Sequence, residues 1–173
     1  YNQMLLYPVQ YTTSQTTQLD TQLSYSSHGH IQTEISSQGQ KKYIYNAAER
    51  LVKYEKTDGL QAEYRYDPFG RRISKKISQG SGLDQTTYFI YSAQALMGEL
   101  NKDGGFQRAY GFSESAGKDN FWSTDPVWQA DLISQNLTDE KTNYTYFHID
   151  HLGAPLIMTN RDGGIAWRSV SDP

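Results

Sequence analysis

Apolar and polar residues alternate along most of this chain with a period of two, the pattern of strands that show one face to each side of a sheet. Leu23 and Tyr25 alternate ahead of His28-Gly29, and Ile31, Thr33 and Ile35 alternate after it, which predicts a hairpin that turns back over residues 36–39. Tyr43 and Tyr45 share the next face, residues 46–49 bend the chain, and residues 51–54 return ahead of Asp58-Gly59. The same reading predicts strands at 71–77, 86–91, 96–100, 106–112, 128–133, 144–149, 156–159 and 165–170, with turns at 150–155 and 160–164. Residues 12–20, rich in Thr, Gln and Ser, read as a solvated strand. No window carries a helical period, and 14 Gly with five Pro oppose long helices, so the fold class is all-β.

The alternation is organised into a cassette led by tyrosine. Tyr45-Asn46 is followed by Arg50-Leu51, and Tyr66-Asp67-Pro68-Phe69-Gly70 by Arg71-Arg72-Ile73; Tyr88 to Tyr91 and Tyr144 to Tyr146 begin later versions that close on Asp103-Gly104 and Asp162-Gly163. Tyr25, Tyr45 and Tyr66 stand 20 and 21 residues apart, the length of one strand-turn-strand unit. Asp, Asn and Gly suit hairpin turns that need positive φ, and Pro68 presets φ at the second position of its turn. A unit this short cannot bury its own faces, so the repeats are expected to join edge to edge into one twisted sheet whose outer edges need covering.

Composition narrows the function classes. A mean hydropathy of −0.74 leaves few core aliphatics, and 14 tyrosines supply the large side chains instead. A net charge of −3 gives no electrostatic reason to expect nucleic acid or an anionic membrane. With no cysteine there is neither a disulfide frame nor a thiolate metal site, and no apolar run approaches the about 20 residues that span a bilayer. The chain opens at Tyr1 and stops at Pro173 in mid-pattern, as a piece of a longer polypeptide would.

Candidate chemistry is sparse. His148, Asp150 and His151 have metal-ligating side chains, but neighbours on a strand point to opposite faces, so turn-shaping hydrogen bonds are the expected role. His28 and His30 flank a hairpin tip. Gly80-Ser81-Gly82 lacks the frame of a nucleophile turn, and Asp125 with Asp131 has no anchored cleft. Asn136-Leu137-Thr138 and Asn143-Tyr144-Thr145 fit a glycan-acceptor pattern that is frequent by chance. Trp122, Trp128 and Trp167 suit either sheet packing or stacking on sugar rings, without the Gly-Trp signature of cell-wall-binding repeats. No catalytic, metal or cofactor residue is expected.

The cassettes at 45–51 and 66–73 resemble the YD repeat, and Phe147-His148-Ile149-Asp150-His151-Leu152-Gly153-Ala154-Pro155, ahead of Asp162-Gly163, resembles the late motif of Rhs proteins. The likeness divides the chain into a weakly matching 1–22, repeats at 23–112, a longer insertion with a strand at 113–143 and the late motif at 144–173. It implies a section of a spiralling β-sheet shell, a cocoon, as in polymorphic toxins, the C component of insecticidal toxin complexes and teneurins. Implied partners are the rest of the shell, a carboxy-terminal toxin cargo and secretion machinery such as a type VI system, with a secreted or cell-surface location in bacteria. Similar proteins cut themselves downstream of the last repeats, which would fall beyond Pro173. A rival expectation is a carbohydrate- or receptor-binding module acting in adhesion. The residues expected to matter are structural: the ladder Tyr45, Tyr66, Tyr91 and Tyr146, the turns Asp67-Pro68-Gly70 and Asp162-Gly163, and the motif His148, Asp150, His151, Leu152, Gly153 and Pro155.

Overall fold

The structure, a computed structural model, describes residues 21–93, 95–113, 126–150 and 154–169. The predicted strand at 12–20, Trp122, Asp125 and the motif residues His151, Leu152 and Gly153 lie outside them. The described residues form thirteen strands: β1 (Gln22–Tyr25), β2 (Ile31–Ser36), β3 (Gly39–Tyr45), β4 (Leu51–Lys56), β5 (Leu60–Tyr66), β6 (Arg72–Gln79), β7 (Leu83–Tyr91), β8 (Leu96–Leu100), β9 (Phe106–Phe112), β10 (Pro126–Asp131), β11 (Asn143–Ile149), β12 (Pro155–Asn160) and β13 (Ile165–Arg168). They form one antiparallel sheet in strict sequence order, an uninterrupted meander.

Two of the predicted boundaries that move are instructive. The strand expected at 128–133 starts at Pro126 and ends at Asp131, with one further ladder bond, from Leu132 N–H to the Gln107 carbonyl, before the chain leaves the sheet. Pro155, expected in a turn, opens β12, and the first position of a strand is one that proline tolerates. The strands at 96–100 and 106–112 lie where the alternation puts them.

Pairing fixes what each face carries. Tyr43 faces Tyr54, Tyr54 faces Ala62, and Ala62 faces Ile77. In the neighbouring rows Tyr64 faces Lys75 and Lys75 faces Thr87. This face is rich in rings; the Tyr43 and Tyr54 centroids are 5.4 Å apart, and Tyr43 donates to Glu34 Oε2 at 3.2 Å. The opposite face of the same strands runs Ile44, Lys53, Glu63, Lys76 and Thr86, a charged row that includes the Lys53–Glu55 ion pair at 2.7 Å.

Among the described residues no second layer covers either face: the substantial contacts all join successive strands. Among the described residues the buried apolar set is Ala62, Ala95 and Ala130, and no large side chain is fully buried. Packing is therefore cross-strand and local, each pair contributing about 0.2–1 kcal/mol. Where a ring must lie flat on the sheet, glycine makes the space: Gly111 pairs with Trp128, whose indole occupies the position a Cβ on Gly111 would take. Gly111→Ala is expected to displace Trp128 and to destabilise the sheet by about 1–3 kcal/mol, read as a lower urea midpoint.

Candidate functional site, a rim of tyrosine-led turns

The turns that follow odd-numbered strands lie on one rim of the meander, and most share a single construction. Asn46 N–H donates to the Arg50 carbonyl at 3.0 Å, Arg50 N–H donates back to Asn46 Oδ1 at 3.0 Å, and Glu49 N–H closes on the Asn46 carbonyl at 2.9 Å. Asp67 repeats all three bonds with Arg71 and Gly70, each at 2.9 Å. Ser26 does so with His30 and Gly29 through its hydroxyl, and Asp150 exchanges the two outer bonds with Ala154. Asn101 and Asn160 build the same turn on the opposite rim. In the Ser26, Asn46 and Asp67 turns the geometry is a type I turn followed by a left-handed residue, which inserts a bulge into the hairpin, and the register shifts at Tyr25, Tyr45 and Tyr66 are those bulges.

Gly70 satisfies two demands in the Asp67 turn. Its φ is +87°, and a Cβ there would run into the Arg50 guanidinium. Pro68 costs nothing, since the three bonds of the turn use the amides of Asp67, Gly70 and Arg71. Asp67 also accepts from Arg71 Nε at 2.6 Å, with the carboxylate only 13 % exposed. Burial pushes this carboxyl up, but the Arg71 guanidinium and the turn amides outweigh it and hold it below the ordinary aspartate value.

Two tyrosines that end odd-numbered strands are bonded to the preceding hairpin. Tyr66 donates its hydroxyl to the Leu51 carbonyl at 2.8 Å, the first residue of β4. Tyr91 donates to the Arg72 carbonyl at 2.9 Å, the first residue of β6. In the Ser26, Asn46 and Asp67 turns the residue four places on lies against the next tyrosine: His30 stacks on Tyr45 at 4.7 Å, Arg50 sits over Tyr66 at 5.9 Å, and Arg71 over Tyr91 at 5.1 Å. The hairpins are thus riveted rim to rim.

The structure brings Tyr45, Tyr66 and Tyr91 into this row but not Tyr146. That residue sits inside β11 opposite Trp128 and Thr159 and is 38 % exposed, and the residue before the Asp150 turn is Ile149. His148 bonds Thr159 through Nε2 at 3.0 Å, Asp150 is engaged in its turn, and Pro155 begins β12. Gly163 takes φ +81°, while Asp162 supplies only an amide, to Asn160 Oδ1 at 3.2 Å. The residues that sequence reasoning missed are the acceptors Asn101 and Asn160, which precede the more conspicuous Asp-Gly pairs. Their signal was an Asx three residues ahead of Gly104 and Gly163.

A second polar feature lies on the ring-rich face. Lys75, Gln85, Thr87, Glu99, Arg108 and Asp131 line a depression of about 340 Å³. Arg108 Nε donates to Asp131 at 2.6 Å, and Tyr110 donates to Glu99 at 2.7 Å, with burial the first cause that pushes the Tyr110 hydroxyl up to about 12. These groups satisfy one another and form no nucleophile–base pair.

Removing a rivet should be measurable. Tyr66→Phe and Tyr91→Phe are each expected to cost about 0.5–1.5 kcal/mol, seen as a lower urea midpoint. Because the folded pKa of Asp67 is depressed, its contribution is present above the ordinary value of 3.8 and is lost as pH falls through and below it. The urea-midpoint advantage over Asp67→Asn should accordingly shrink between about pH 6 and about pH 3.

Comparison with known proteins supplies the context for this rim. Residues 145–173 match the family model for RHS protein. The chain is 28% identical over 166 residues to toxin protein Tse5 of Pseudomonas aeruginosa, covering 83% of this chain and 12% of that protein. It is 26% identical over 159 residues to double-stranded DNA deaminase toxin A of Burkholderia cenocepacia, covering 86% of this chain and 11% of that protein. The chain spans about an eighth or less of the length of these relatives. The crystal structure of TcdB2-TccC3-TEV shares the fold over 83% of this chain and 8% of that one, with a TM-score of 0.50 and 14% identity. The carboxy-terminal part of the chain thus matches the RHS family, and the chain as a whole is similar to stretches of bacterial toxins.

Proposed function

We propose that this module is a section of a Rhs-repeat shell that encloses a carboxy-terminal toxin and helps deliver it in bacterial competition or virulence. The observation that carries the reading is a sheet of one layer with no enclosed core, whose end strands β1 and β13 each pair on one side only among the described residues. Such a sheet leaves backbone donors and acceptors open at both ends, and continuing or closing it removes those edges. Its small share of the toxin relatives' length supports a part that works inside a larger protein.

On this reading the module does no chemistry. Its partners are the rest of the shell, the cargo and components of a secretion system, and its place is outside the producing cell or on its surface. The rim turns keep successive hairpins in register while the wall curves, and the wall keeps the cargo from its target until release. The deaminase in one relative's name is said of that protein, of which this chain covers 11%.

The rival reading, a module that binds sugars or a receptor through exposed aromatics, draws little support from Trp128. Its indole is seated over Gly111, and its ring centroid lies 5.4 Å from that of Tyr144. The test is the intact mass of the full-length protein purified under native and denaturing conditions. A polypeptide cut downstream of these repeats, with pieces that copurify until denatured, is the expected result. A single uncut chain would overturn the self-processing shell and favour adhesion.

A further inference from the structure

The row of rivets contains one member of different chemistry. In three successive turns the residue four places after the Asx or Ser lies on the next tyrosine, and two of these residues are arginines while the first is His30. An arginine is charged at every physiological pH; an imidazole is charged only below its ordinary range near about 6.5. His30 stacks on Tyr45 with an interplanar angle of 23°. Its Nε2 is buried without a hydrogen bond and lies 3.4 Å from Glu49 Oε2. Glu49 is held there by a left-handed backbone, φ +60°, in the Asn46 turn.

The surroundings define what the charge would meet. His30 lines a depression of about 590 Å³ with Tyr25 and His28 from its own hairpin, Lys42, Tyr43 and Tyr45 from β3, and Glu49 from the next turn. Lys42 and a protonated His28 oppose a further cation, whereas Glu49 and the face of Tyr45 favour it, and these two stand in direct contact with the ring. We propose that His30 makes this rivet pH-sensitive: below the imidazole range an imidazolium held between Glu49 and Tyr45 clamps the β1–β2 hairpin to the β3–β4 hairpin. Above that range the ion pair and the cation–π contact are lost, and the hairpin stays tied by backbone pairing, the ring stack and the bonds of Glu34 with Lys41 and Tyr43. The later rivets, built on Arg50 and Arg71, do not change. The device would loosen one end of the described sheet first.

The inference does not depend on the shell reading, since it concerns only how two hairpins of this chain are joined. Hydrogen–deuterium exchange of the full-length protein tests it, read in peptides covering residues 22–31 and 43–50 and corrected for the chemical exchange rate. In the unaltered protein these amides are expected to exchange about threefold more slowly at about pH 5.5 than at about pH 7.5. His30→Arg should be slow at both pH values, and His30→Gln should show no pH dependence. Equal exchange at the two pH values in the unaltered protein would overturn the proposal. So would a His30→Gln protein that keeps the full ratio, which would assign the effect to another group such as His28.

Discussion

A sheet one layer thick has no core to select its register, so the register must be set where strands turn. The mutual pair of bonds between an Asx residue and the backbone four places on does this, because it fixes the type I turn, the left-handed residue and the bulge together. The bulge places the tyrosine before the turn so that its hydroxyl reaches the first carbonyl of the preceding hairpin's return strand. The cation after the turn then covers the next tyrosine. A one-residue slip would move every ring of the tyrosine face to the charged face, and the rivets oppose that slip at each repeat.

Much of this was legible in the sequence because strands and turns obey local rules. The alternation at 96–100 and 106–112 and the turn chemistry of Asp67-Pro68-Phe69-Gly70 act within a few residues, and the structure follows them. The rivets were not legible. A hydroxyl that bonds a carbonyl 15 or 19 residues earlier depends on pairing, and pairing is not written at any single position. Tyr146 shows the cost of reading by residue type: it resembles the ladder tyrosines, yet no Asx follows it, so it lies inside its strand. Asn101 and Asn160 show the reverse, since the Asp-Gly pair draws the eye while the acceptor that closes the turn comes earlier.

The same economy shows in the charged groups. Several acids and bases among the described residues hold neighbours: Asp67 with Arg71, Asp131 with Arg108, Glu34 with Lys41. Such a wall can be extended by adding hairpins, each contributing its own turn, tyrosine and cation, without redesigning a core. Similarity to stretches of much longer toxins fits a part made for extension.

Whether a single layer held at its rim is the working form of this module can be read from a cryo-EM map of the full-length protein at a resolution that shows side chains. One continuous sheet over these residues is expected, with the Tyr66 and Tyr91 hydroxyls on the Leu51 and Arg72 carbonyls. A two-layer sandwich with Tyr43, Tyr54 and Tyr64 packed against a second sheet, and those hydroxyls elsewhere, would contradict it.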